Sequence, residues 1–246
     1  MFSFLKSHPF AVEAFFEYSI VLAFAVPKKE LAKLIPPCLE LDIFDDKWAF
    51  IAAATVKTRG LRPKGFPSFF GRDFFLVGYR IFVRYTNTEG KRMRGLYIIR
   101  SETDSKMLEL SGNIFTHYSY TTTDIMESAT ENSIELSSDR SNFKVIVEES
   151  ENEVNLPEHS PFATWKEARR FAGPLPFTFT FDKDTNKVLI VEGVRANWTP
   201  KPIKVVDQNF GFLNGLGLKE AVLANAFIIR NVPYWWKKGK VEQWKP

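Results

Sequence analysis

The chain of 246 residues has one cysteine, Cys38, and three histidines, His8, His117 and His159. A lone cysteine excludes an internal disulfide and makes a reducing cytoplasm the simplest compartment. Three scattered imidazoles give no HExxH, CxxC or similar ligand spacing, so no metal site is expected. No excess of one charge is gathered into blocks: 33 Lys and Arg stand against 29 Asp and Glu, net +4, interspersed throughout. That balance is too even to indicate a nucleic-acid partner. Long hydrophobic runs are also missing. The longest apolar stretch, Ile20 to Val26, is far too short to span a bilayer, and MFSFLKSHPF is not a basic leader followed by a clean apolar core. No membrane partner is therefore expected, and the sequon Asn197-Trp198-Thr199 is read as accidental. There is no GxSxG elbow, no internal repeat and no composition shift that marks a linker, which points to one domain over residues 1–246.

What is abundant is phenylalanine. The 24 Phe outnumber the 6 Trp and 7 Tyr combined, and such side chains favour sheet. Ala14 to Val26 reads as a strand, followed by a short helix from Pro27 to Ile35 that stops at Pro36-Pro37. Trp48 to Arg59 is a second long strand. Its alternation places Ala49, Ile51, Ala53, Thr55, Lys57 and Arg59 on one face and Phe50, Ala52, Ala54, Val56 and Thr58 on the other. Phe74 to Tyr85 and Arg94 to Arg100 form an expected hairpin through Asn87 to Gly90, after which Asp104 is a candidate N-cap for a helix over Ser105 to Phe115. A second such helix covers Thr164 to Phe171. Further strands are expected at Tyr118–Ile125, Ser133–Arg140, Phe143–Glu149, Pro174–Phe181, Val188–Asn197, Ile203–Val206 and Leu223–Val232. About ten strands with three helices imply a mainly β, antiparallel-rich protein of α+β type, with its sheet closed or nearly so to avoid exposed edges.

Chemistry-bearing residues are few. Asn214-Gly215-Leu216-Gly217 superficially echoes a dinucleotide loop, but that loop requires a parallel βαβ unit, so it is read as a turn and no cofactor is expected. Arg59, Arg62, Arg80, Arg84, Arg94 and Arg100 recur on strands or beside them. An arginine facing a barrel interior must meet an anion, either an Asp or Glu partner or a carboxylate ligand. His117, in Thr116-His117-Tyr118-Ser119-Tyr120, sits where the chain passes from helix to strand.

These residues resemble the acetoacetate decarboxylase-like superfamily, and most closely its YqjF-like branch. Tyr18 to Asp42 is similar to the superfamily's opening strand, helix and "IPP…LELD" segment. Arg59-Gly60-Leu61-Arg62-Pro63-Lys64-Gly65-Phe66-Pro67, followed by a strand with central Arg80, resembles the YqjF-like RGxRPxGxP pattern. Gly215 to Ala221 and the strand ending at Val232-Pro233 resemble the family's closing segments.

The resemblance implies a cone-shaped, largely antiparallel β-barrel with a central cavity and a few flanking helices. It also implies a comparison of chemistry. True decarboxylases use a lysine that forms a Schiff base with a β-keto acid, its pKa depressed by a second lysine. The corresponding stretch here, Gly112 to Thr121, contains neither lysine and places Tyr120 and Thr121 where they would stand. A phenol cannot form an imine.

The expectation is thus a cavity that binds a small carboxylate or other polar molecule. Arg59, Arg62 and Arg80 would hold the anion, while His117, Tyr118 and Tyr120 would line the cavity and donate protons or hydrogen bonds. The enzymatic alternative is a lyase or hydratase acting on a small keto acid through Lys57 or through His117 and Tyr118. The non-catalytic alternative is an interaction module with a filled barrel. The tail Pro233 to Lys240 is aromatic and basic, a composition that also suits contact with a membrane surface, but it is short and is read as capping the barrel or serving homo-oligomerisation, which the family analogy suggests.

Overall fold

The computed structural model describes residues 6–150, 152, 154–196 and 198–245. The N-terminal half runs β1 (Val12–Pro27), α1 (Lys28–Leu31) with a 3-10 turn at Ala32–Leu34, β2 (Glu40–Leu41), β3 (Trp48–Pro63), β4 (Arg72–Thr86), β5 (Arg92–Thr103), α2 (Lys106–Phe115) and β6 (Tyr120–Thr122). There follow β7 (Met126–Ala129), β8 (Ser133–Ser138), β9 (Phe143–Glu148), α3 (Trp165–Ala172), β10 (Phe177–Asp182) and β11 (Lys187–Arg195). The chain ends with β12 (Lys201–Pro202), β13 (Lys204–Phe210), α4 (Gly211–Gly215), β14 (Val222–Trp236) and β15 (Lys240–Gln243).

Strand pairing traces a closed circuit, β14-β1-β3-β4-β5-β10-β11 and back to β14. Most of it is antiparallel, as the run of hairpins required. The exceptions are β10 and β6, which both lie parallel to β5. Two joints are short: β5 meets β10 only from Gly95 to Tyr97, and β11 meets β14 only from Gly193 to Arg195. Beyond the first joint the α2–β6 segment fills the gap, with β6 pairing Ser101 to Thr103. A second, four-stranded antiparallel sheet, β13-β9-β8-β7, was not foreseen as a separate layer.

This layering explains why β3 is apolar on both faces. Its odd residues, such as Ile51 and Ala53, belong to the main core, in which the barrel wall packs on Leu136, Phe143 and Val145 of the second sheet. Its even residues, Ala52, Ala54, Val56 and Thr58, face the barrel lumen. One end of the lumen is plugged by α3, whose Ala168 and Ala172 pack with Phe50, Phe82 and Phe162. The sequence TWKE builds that helix's start. Thr164 accepts a hydrogen bond from the Glu167 amide, and the Glu167 carboxylate accepts from the Ala163 amide, in the manner of a capping box. The other end opens between α2, the N-terminal segment and the β3–β4 loop, where the exposed Phe10, Arg72 and Met107 lie on the cavity wall.

Several local expectations are corrected. Ser105, not Asp104, caps α2 by accepting from the Leu108 amide, because Asp104 is turned back to accept from the Phe75 amide. The strand expected at Tyr118–Ile125 shrinks to Tyr120–Thr122, while those expected at Arg94–Arg100 and Leu223–Val232 lengthen to β5 and β14. The end of the strand expected at Val188–Asn197, with the sequon residue Asn197, lies outside the described residues. No described helix is long and apolar enough to cross a membrane.

Candidate anion-binding cavity

The lumen encloses a cavity of about 410 Å³. Its described lining contains four arginines, Arg62, Arg72, Arg80 and Arg195, one histidine, His8, and three tyrosines, Tyr118, Tyr120 and Tyr234. It contains no aspartate, glutamate or lysine among the described residues.

Five of the six strand-associated arginines singled out from the sequence find carboxylates within the protein. Arg59 bridges Glu17 at 2.6 Å and Asp73 at 2.8 Å. Arg62 pairs with Glu13 at 2.7 Å, and Arg84 and Arg94 share the fully buried Asp42 at 2.5 and 2.6 Å. Arg100 pairs with Glu102 at 3.0 Å. Arg80 is the exception. No described carboxylate pairs with it, and its Nε is closed off from solvent without a hydrogen-bond partner. Burial disfavours its charged form, and the ionisable groups around it are the phenols of Tyr234, Tyr120 and Tyr118 and the guanidinium of Arg195.

A bulge separates Arg80 from its neighbour Arg100. Tyr79 pairs with Arg100, but Arg80 pairs with Ile98, so Ile99 is the extra residue. That insertion sends Ile98 and Ser101 into the cavity and Arg100 to the opposite face, where it lies over the Phe212 ring at 5.2 Å. Pure alternation, which put Arg94, Leu96, Ile98 and Arg100 on one face, fails at this point.

The tyrosines are held around Arg80 by different means. Tyr118 donates to the Thr178 hydroxyl at 3.3 Å, and burial pushes its pKa up to about 12. Tyr120 lies with its ring 6.3 Å from that of Tyr118 and is likewise raised by burial. Tyr234 is stacked on Phe16 at 4.7 Å and packed against Trp236 at 4.5 Å. Burial raises its pKa, with Arg195 opposing. Arg195 itself donates to the Leu175 carbonyl at 2.7 Å and lies over the Trp198 ring at 5.2 Å.

The structure thus brings together Arg80, Tyr118 and Tyr120 from the sequence-derived set, with Arg62 on the wall near the opening. It does not bring Lys57, Arg59 or His117 to this cavity. Lys57 is on the odd face of β3, outside the lumen, with Nζ 2.6 Å from Glu127 and 3.3 Å from Glu17. Burial works to lower its pKa, but the two carboxylates prevail and raise it. A Schiff-base lysine needs the reverse. Arg59 is exposed on that same outer face. His117 is half-buried and turned from the lumen, while Thr116 and Tyr118 on either side line it. Its pKa is lowered by burial first, then by the charge of Lys6. Sequence reasoning missed Arg195 and Tyr234. The signal for both was the glycine two residues earlier in β11, Gly193, over which the Tyr234 hydroxyl lies.

The model of the family DUF2071, described as "Uncharacterized conserved protein (COG2071)", matches residues 15–234. The chain belongs to the DUF2071 family. Its fold is shared with acetoacetate decarboxylase-like proteins. It is similar to acetoacetate decarboxylase from Legionella pneumophila subsp. pneumophila str. Philadelphia 1 (TM-score 0.60, 12% identity, 95% of this chain and 88% of that one). An acetoacetate decarboxylase-like enzyme from Sphingomonas wittichii RW1 aligns with TM-score 0.58 at 8% identity, over 97% of this chain and 94% of that one. The enduracididine biosynthesis enzyme MppR, solved in complex with pyruvate, aligns with TM-score 0.57 at 10% identity, over 95% and 90% of the two chains. No curated protein matches. Among the described residues, the DUF2071 chain has no lysine on its cavity wall.

Proposed function

We propose that the protein binds a small organic anion, most simply a carboxylate, in the barrel cavity, with Arg80 meeting its charge. The observation that carries this reading is the guanidinium of Arg80 on the cavity wall, its Nε closed off from solvent without a hydrogen-bond partner and no described carboxylate pairing with it. An unpaired charge in an apolar setting costs several kcal/mol, of order, and a ligand carboxylate would offset it through charge-assisted bonds. Other features agree. The described lining has no acidic residue to repel an anion, and the three phenols, their pKa values raised by burial, remain protonated donors near neutral pH. One structural neighbour is a complex with pyruvate, an acid of the proposed class.

Isothermal titration of a panel of carboxylates and their amides into the wild-type protein and Arg80→Met tests the reading. Saturable binding of acids over amides, weakened at least tenfold by the substitution, is the expected result. Equal binding of acids and amides, or acid binding untouched by Arg80→Met, would overturn it.

A further inference from the structure

The geometry points to a ligand with a substantial apolar body attached to its carboxylate, an arylalkanoic or medium-chain aliphatic acid, not a three- or four-carbon acid. This rests on the anion reading of the same cavity and adds what lies beyond the charge. The polar groups gather around Arg80, whose guanidinium curls back over Gly78 on the wall of the lumen. Below it Phe82 and Leu96 close the floor against α3. Above it the wall toward the opening is mostly apolar, with Val56 on β3, Leu76 and Phe74 on β4, and Ile229 and Val232 on β14; Ser19 and Thr58 interrupt it, and Arg62 and Arg72 stand at the rim.

Two magnitudes favour a large ligand. From Gly78 to Phe74 is four residues of strand, or about 13 Å of apolar channel above the charge at 3.3 Å per residue. A volume of about 410 Å³ falls in the range of roughly 300–1,000 Å³ that encloses drug-sized ligands. A four-carbon acid seated on Arg80 would leave most of that space to water facing a mostly apolar wall that offers it few hydrogen bonds, which is unfavourable. An acid whose hydrocarbon part runs toward the opening removes that water and keeps its charge on the guanidinium.

The test is calorimetric titration of the intact protein with acetoacetate, butyrate, octanoate, decanoate and phenylbutyrate, each of the last three also as its amide, repeated on Arg80→Met. Each fully buried methylene contributes about 0.8 kcal/mol, close to fourfold in affinity, so decanoate and phenylbutyrate should bind at least about thirtyfold tighter than butyrate or acetoacetate. Their amides and the variant should be at least tenfold weaker. If acetoacetate or butyrate binds as tightly as decanoate, the apolar-body inference is overturned and the anion site stands. If amides match acids and Arg80→Met binds like wild type, the anion reading falls and takes this inference with it. No binding by any of the compounds overturns both.

Discussion

The guanidinium of Arg80 lies against the α-carbon of Gly78: a methyl group there would stand 3.0 Å from Nε and 3.1 Å from Nη2. Such a contact is tight enough that the neighbour must give way, and Arg80 is the neighbour with a flexible end. Gly78→Ala should therefore swing the arginine head out of place and weaken acid binding roughly tenfold, about one charge-assisted hydrogen bond. The strand pairing itself should be preserved. Calorimetry beside a far-UV spectrum separates the two effects, and unchanged affinity would mean the arginine pose shown here is not the one that binds.

Arg80→Met carries a second, opposite expectation. Replacing a charge that lacks a carboxylate partner by an apolar side chain of similar length removes its desolvation cost, so the change should stabilise by about 1 kcal/mol or more. For a chain of this size each kcal/mol is roughly 2–4 °C in melting temperature. The ligand-free variant should melt a few degrees higher than wild type while losing acid binding. A lower melting temperature would show that the wild-type guanidinium is satisfied in some way the structure does not reveal.

Gly193 and Tyr234 are coupled across the joint that closes the barrel. A methyl at Gly193 would stand 1.8 Å from the tyrosine hydroxyl and 2.7 Å from Cζ. Since Tyr234 is wedged between Phe16 and Trp236, it has little room to retreat. Gly193→Ala should destabilise by about 1–3 kcal/mol through overpacking. Tyr234→Phe, which removes the closest atom, should restore part of that loss in the double variant. Strict additivity in a denaturation cycle would argue against the contact.

Lys57 offers a negative expectation that is easy to check. With its Nζ held by Glu127 and Glu17 outside the lumen, Lys57→Ala should leave carboxylate binding within twofold of wild type. Borohydride reduction with pyruvate or acetoacetate should give no mass adduct, since no described lysine lines the cavity. A single adduct mapped to Lys57 would place imine chemistry on the outer face.

The buried His8 and the half-buried His117 set a pH limb. Burial lowers the pKa of both His8 and His117 from 6.5, so the unfolded chain binds their protons more readily than the fold does. Their contribution is then full above the unfolded value and is lost as pH falls through and below it, so stability should decline from about pH 7 toward pH 5.5. Glu102 and Asp104, raised by burial, act in the opposite sense as they protonate. His8→Gln and His117→Gln leave both carboxyls in place and should flatten the decline. Melting curves across that range, unchanged by either substitution, would remove the histidines as its cause.

Much of the barrel was legible because long aromatic strands broken by Gly and Pro leave few alternatives, and the apolar evenness of β3 already implied burial on two sides. The second sheet was not legible as a layer, since the short strands β7 to β9 carry the same alternation whether they extend a barrel or cover one. In the site, Arg80, Tyr118 and Tyr120 could be named from position along their segments. Lys57 and Arg59 could not be placed, because alternation says that two faces exist without saying which one looks inward. Arg100 was misassigned through a single bulged residue, Ile99, which no periodicity announces. Arg195 and Tyr234 meet only because the first and last parts of the circuit join, and apart from Gly193 that joint has no local signature.

The neighbouring pairing of β1 with β14 has a consequence during synthesis. Phe16, near the start of the chain, pairs with Val232, near its end. A nascent chain emerging from the ribosome can form the consecutive β3-β4-β5 meander early, but β1 keeps an unpaired edge until almost the last residue is made. Closure is thus a late, long-range event, slow for reasons of loop entropy, and shortened chains that end before β14 would present an aromatic strand edge open to aggregation.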